Sequence, residues 1–203
     1  VQETDAMMGR GEFDLLFTNH NFRRDQDGQY RVLVRWAGKP IYSVIAVPAD
    51  SPAHALSDLA GRRVAFPSRE AFVGYAVPMA ALKTAGISVE VVTAGNQEGA
   101  MAQLQARQVE AAAVNSRLLS RYAAQSGLRY RELYVSEGFA EMPVLAHPRL
   151  PKEQADAIRR ALLAMAADPR AAAAREAAAC NGFEPAAEKD YDNVRRIYAG
   201  IRE

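Results

Sequence analysis

Between residues 63 and 127 the chain alternates three times between a short apolar run and a longer helical pattern. Strand-length runs at 63–66, 89–93 and 111–114 are each followed by helix-length stretches at 71–85, 97–107 and 117–125. Gly86 and Gly127 close the first and third helices. Parallel strands need a crossover connection, and a helix of about 10–15 residues between strands is its signature, so the pattern predicts βαβ units around a parallel sheet. The crossovers are expected to be right-handed, which leaves few topologies.

In open α/β sheets a ligand sits beyond the carboxyl ends of the strands. The three strand-to-helix turns there read Ser68-Arg69, Gly95-Asn96-Gln97 and Asn115-Ser116. The stretch 64–78 is a strand, a polar turn and a helix start carrying Gly74 and Tyr75. A helix start presents free N–H groups and favours an anion. Ser68, Asn96 and Asn115 have two readings. Each residue type is a common N-cap, and the three together also suit the wall of a small-molecule site. Arg69 suits a bidentate grip on an oxyanion or an exposed surface position. Glu70, expected in the first helical turn, itself answers the helix dipole.

The chain ahead of this core predicts a helix over 1–10, a strand over 13–17, and the polar loop Thr18-Asn19-His20-Asn21. His20 is an anion contact when protonated, or a solvent-exposed loop histidine. A solvated turn is expected over 23–29, then strands over 30–36 and 41–47. Trp36 is read as core, and Tyr42 as an aromatic wall or an edge residue. Residues 48–52 read as a linker and 57–61 as one helical turn closed by Gly61. Further strands are expected over 130–135 and 142–147, and helices over 152–166, 170–179 and 188–198.

Composition narrows the function. A net charge of +1 on 203 residues gives no reason to expect nucleic acid or an anionic membrane. The single cysteine, Cys180, excludes an internal disulfide and a CxxC metal site, and reads as a small buried residue. No apolar run is long enough to span a bilayer. GxSxG, HExxH and P-loop patterns are absent. An enzyme is therefore not expected, nor a cofactor or a metal.

Several segments occur in a telling order: Gly11-Glu12-Phe13-Asp14-Leu15, residues 43–52, Asp58-Leu59-Ala60-Gly61, Phe66 through Gly74-Tyr75-Ala76-Val77-Pro78, residues 94–100 and residues 109–115. Together they resemble the phosphate/phosphite/phosphonate-binding solute-binding proteins of bacterial ABC importers, over nearly the whole chain. The resemblance implies an α/β fold of the type II periplasmic-binding kind: two α/β lobes, two hinge strands and a ligand in the interlobe cleft. Lobe one would be 1–46 plus 147–203 and lobe two 47–146, with hinges near 46–50 and 142–147. Family members carry about one more βαβ segment in front, so lobe one is expected to be truncated at its N-terminus here.

The implied function is binding of a small polar, anionic ligand of phosphonate or phosphate type for import. The implied location is the periplasm and the implied partner an ABC permease. A monomer is expected, with no nucleic acid and no membrane insertion. The alternative is a ligand-sensing domain of a histidine kinase or transcriptional regulator with the same fold. Ligand contacts are expected from Asn19, His20, Tyr42, Ser68, Arg69, Gly74, Tyr75, Asn96, Gln97, Asn115 and Ser116. Two departures stand out. The family's phosphonate binders place Ser/Thr hydroxyls just before the helix-start glycine, where this chain has Ala71, Phe72 and Val73. Its aminoalkylphosphonate binders place an acidic residue where this chain has Gln97.

Overall fold

The computed structural model describes residues 2–20, 22, 27–177 and 180–201. Asn21, positions 23–26 of the expected turn and the last two residues of the expected helix 170–179 lie outside the described residues. In chain order the elements are α1 (Gln2–Gly9), β1 (Leu15–Phe17), β2 (Arg31–Trp36), β3 (Ser43–Pro48), β4 (Arg63–Phe66), α2 (Val77–Thr84), β5 (Glu90–Thr93) and α3 (Gln97–Gln105). They continue with β6 (Ala111–Asn115), α4 (Ser116–Ser126), β7 (Tyr130–Val135), β8 (Pro143–Ala146), α5 (Lys152–Ala164), α6 (Ala172–Ala177), β9 (Phe183–Pro185) and α7 (Asp192–Gly200). The chain is a mixed α/β protein drawn into two compact units, Val1–Pro40 with Phe139–Ala199, and Ile41–Gly138 with Gly200–Glu203. The chain passes between units at 40/41 and 138/139, ahead of the 46/47 and 146/147 boundaries expected from sequence. β3 lies wholly in the second sheet and β8 wholly in the first.

The first unit holds an antiparallel sheet of order β1-β8-β2-β9. Leu33 and Ala146 of this sheet pack against Ala155 of α5, with Ile158 beside them. Tyr191 is fully buried, stacks on Phe22 at 4.6 Å and donates its hydroxyl to the Glu141 carbonyl at 2.7 Å. Trp36 is half-buried rather than core, because it is the last residue of β2, edge-on to the exposed Phe17 at 5.4 Å. The three-residue β9 was not expected from sequence. It follows Gly182, whose φ of +101° and close approach to Ala166 suit glycine alone. Cys180 is buried beside it, its thiol donating to the Gly182 carbonyl.

The second unit holds a five-stranded sheet of order β5-β4-β6-β3-β7. β4 is parallel to both β5 and β6, as the alternation predicts. β3 is inserted between β6 and β7 and runs antiparallel to both, so the sheet is mixed rather than wholly parallel. Both faces are covered. Val44, Ala46, Ala65, Ala112 and Val114 pack with Met101 and Leu104 of α3 and Leu119 of α4. Ile45, Val47, Val64, Phe66, Ala111 and Ala113 pack with Leu59 and Leu82. Burial on both faces explains why β3 and β6 read as continuous apolar runs instead of alternating ones.

The helix expected over 71–85 is not uniform. It opens with one wide π-type turn, Phe72–Ala76, and becomes α-helical at Val77. Tyr75 and Ala76 both donate to the Ala71 carbonyl at 3.0 Å, and Val77 donates to that of Phe72. Pro78 has no N–H to give to the carbonyl of Gly74, so the α ladder cannot close across this turn. Glu70 consequently precedes the helix instead of standing in its first turn.

Candidate functional site

The carboxyl ends of β4, β5 and β6 lie side by side, since Phe66 pairs with Thr93 and Ala65 with Ala112. Antiparallel β3 starts at the same edge, with Ser43 opposite Asn115. The second unit therefore brings Tyr42, Ser68, Arg69, Gly74, Tyr75, Asn96, Gln97, Asn115 and Ser116 to one end of one sheet. Asn19 and His20 belong to the first unit.

Two of the three expected caps are caps. Asn96 Oδ1 accepts from the Gly99 N–H at 2.7 Å, and Asn115 Oδ1 from the Arg117 N–H at 2.9 Å. Each is worth roughly 1 kcal/mol of helix stability. Ser68 is not a cap: Ala71 holds the cap position, and alanine has no side-chain acceptor to offer. Among the described residues, the N–H groups of Val73 and Gly74 make no hydrogen bond. These donors stand at the opening of a continuous helix, where the peptide dipoles favour negative charge.

Gln97 ties two of these turns together. Its Oε1 accepts the Asn115 N–H at 3.0 Å, and its Nε2 lies where a Cβ on Gly74 would be only 2.9 Å away. The same Cβ would stand 2.7 Å from Pro67 Cγ. Gly74→Ala is therefore expected to cost about 1–3 kcal/mol by overpacking and to push the Gln97 amide off Asn115. Urea denaturation measures it, and a midpoint equal to wild type would contradict the close packing of this turn.

The remaining expected residues fall around this core. Arg69 is exposed, with its guanidinium 6.0 Å from the centre of the Tyr75 ring. Tyr75 is half-buried and edge-on to Phe66 at 5.3 Å. Tyr42 is exposed, and its carbonyl accepts the Ser116 N–H at 3.1 Å. Sequence reasoning did not assign two serines at this edge. Ser136 Oγ accepts the Ser43 N–H at 2.9 Å, and the Ser43 hydroxyl is buried without a partner among the described residues. A hydroxyl inside an apolar strand was the only signal.

His20 corrects an expectation. It is completely buried, not solvent-exposed. Its Nε2 lies 2.6 Å from the Ala140 carbonyl, and its Nδ1 lies 3.3 Å from Asn19 Oδ1. Burial lowers its pKa to about 4, against the smaller raising effect of the Ala140 carbonyl. The ring is neutral at physiological pH and holds its loop to Ala140, so a protonated anion contact is not available there.

Two cavities among the described residues border the second unit. The larger, about 540 Å³, opens among Pro48, Asp58, Arg62 and Arg107, near the amino ends of β4 and β6. It contains none of the expected site residues. Two of its carboxylates are engaged, Asp50 by Arg107 at 2.8 and 2.9 Å and Asp58 by the N–H groups of His54 and Ala55. The smaller, about 310 Å³, lies between the starts of α3 and α4 and includes Asn96 and Gln97. Among the described residues no cluster of His, Cys, Asp and Glu could hold a metal, and no helix is long and apolar enough to cross a membrane.

A protein-family profile described as ABC transporter, phosphonate, periplasmic substrate-binding protein matches residues 1–191. Among curated proteins no sequence matches. Among solved structures, XAC2383 from Xanthomonas citri bound to ATP aligns at TM-score 0.85 and 19% identity, covering 98% of this chain and 82% of that one. PhnD1 from Prochlorococcus marinus in complex with methylphosphonate aligns at TM-score 0.79 and 14% identity, with coverage of 98% and 82%. The aliphatic sulphonate binding protein SsuA from Escherichia coli aligns at 0.63 and 19%, with coverage of 97% and 65%. At these identities the likeness is one of fold.

Proposed function

The chain belongs to the family of periplasmic substrate-binding proteins of phosphonate ABC transporters, and from that premise we propose that it binds a small oxyanion at the carboxyl edge of β4, β5 and β6. The family captures small molecules for ABC permeases without chemical conversion. For this chain we take the ligand group to be a phosphonate, phosphate or similar tetrahedral oxyanion. The observation that carries this reading is the helix opening at Phe72–Ala76, where the cap residue is Ala71 and the Val73 and Gly74 N–H groups have no partner among the described residues. Arg69, exposed just ahead of it in the chain, adds a positive charge, and Gln97 supplies an amide held in place by Asn115. Oxyanions unite the ligands named for three structural neighbours, methylphosphonate, ATP and aliphatic sulphonate. We read the two units as the family's two lobes, and the protein as acting in the periplasm with a permease partner.

Thermal unfolding with methylphosphonate, inorganic phosphate, ATP and an aliphatic sulphonate tests the reading. At 100-fold excess over Kd, a ligand stabilises by about 2.7 kcal/mol. For a chain of this size that is a rise in Tm of roughly 5–10 °C. No rise with any of the four at millimolar concentration would refute oxyanion binding.

A further inference from the structure

Ser43 opens β3 opposite Asn115. The residue is fully buried, and its hydroxyl has no hydrogen-bond partner among the described residues. Its backbone N–H is already taken by Ser136 Oγ, so the side chain does nothing for the strand end. An orphaned buried hydroxyl costs stability, and alanine would serve an apolar strand at least as well.

Strand alternation puts Ser43 on the face of β3 that carries Ile45 and Val47. That face packs with Phe66, Tyr75 and Leu82, and β3 also packs directly against the Phe72–Ala76 turn. Val44 points the other way, toward α3 and α4. The cross-strand partner, Asn115, is held by Gln97, whose amide nitrogen lies beside Gly74. The orphaned hydroxyl thus lies on the face of β3 that packs against the turn carrying the unpaired Val73 and Gly74 N–H groups.

We propose that Ser43 is a ligand-contacting residue, its Oγ–H donating to an oxygen of the anion held by those two N–H groups. This rests on the oxyanion reading above. The hydroxyl comes from the adjacent strand, where the helix start itself offers only Ala71, Phe72 and Val73. Its cost in the free protein is relieved when the anion arrives.

Two measurements on Ser43→Ala test the idea: calorimetric titration with methylphosphonate and inorganic phosphate, and denaturant unfolding without ligand. Ligand-free Ser43→Ala should be as stable as wild type or more so, while affinity for the anion falls about tenfold, the worth of one hydrogen bond to a charged group. Ser43→Cys, close in volume but a weak donor, should lose affinity as well and guards against a folding defect. Ser43→Thr should retain binding better than either. Wild-type affinity in both Ser43→Ala and Ser43→Cys would overturn this inference and leave the oxyanion reading standing. Failure of the wild-type protein to bind either anion would overturn both.

Discussion

Gly99→Ala is expected to destabilise the protein by about 1–3 kcal/mol, against the direction helix propensity predicts. Gly99 lies in the first turn of α3, where alanine is favoured by about 1 kcal/mol on propensity alone. The turn, however, is folded back on the strand end. A Cβ on Gly99 would stand 2.5 Å from the Ala94 carbonyl oxygen and 3.4 Å from Asn96 Oδ1. The first is a backbone atom and cannot swing aside. Ala94 is itself anchored, its N–H donating to the Phe66 carbonyl at 2.8 Å across the β4–β5 junction. Relief must therefore move either that junction or the cap, in which Asn96 accepts from the Gly99 N–H. Overpacking strain of roughly 1–3 kcal/mol plus about 1 kcal/mol of cap outweighs the propensity gain. Thermal unfolding should show Tm lower by roughly 5–10 °C. An unchanged or higher Tm would mean the α3 start is not locked to the strand end.

The second large effect is on pH. His20 is held near pKa 4 in the folded protein and returns to about 6.5 when unfolded. Between those values the unfolded chain binds the extra proton, so acid favours unfolding. The contribution is intact above about pH 6.5, falls as pH drops toward 4, and is exhausted below that. The displacement from about 6.5 to about 4 corresponds to about 3 kcal/mol. Asp50, Asp58, Asp156 and Asp168 are also held low, chiefly by hydrogen bonds to Arg107, to the His54 N–H, to Lys152 and to Arg170 respectively. Their contribution is lost only as pH falls below the ordinary carboxylate range. The window between 6.5 and 4 therefore belongs to His20 and can be isolated. Urea unfolding at pH 7.5 and 4.5 should show His20→Gln losing about 3 kcal/mol less than wild type over that interval. An imidazole resonance of folded His20 titrating near 6.5 by NMR would refute the burial.

Much of the second unit was legible in the sequence. The parallel core was readable because apolar runs of strand length alternate with helical stretches. Asn96 and Asn115 were visible as caps because capping is a local act between residues two or three apart. The same locality explains the failures. Nothing near Trp36 tells that β2 ends there, half-exposing it. Nothing near His20 tells of Ala140, the distant residue whose carbonyl receives its ring. The wide turn at Phe72–Ala76 could have been suspected from Pro78, but the pattern of apolar residues is the same for either helix.

Sequence alone therefore determined the fold class, the family and the strand ends that gather the polar turns, because periodicity and turn chemistry are written along the chain. Only the tertiary structure decided which polar groups at those ends are already spent. Asn96 and Asn115 give their side-chain oxygens to caps, and Gln97 gives its own to the Asn115 N–H. His20 is sealed in as a neutral ring, while Ser43, Val73 and Gly74 keep donors in hand. That division depends on which partners β3, β4 and β6 bring within about 3 Å, a distance between residues far apart in sequence.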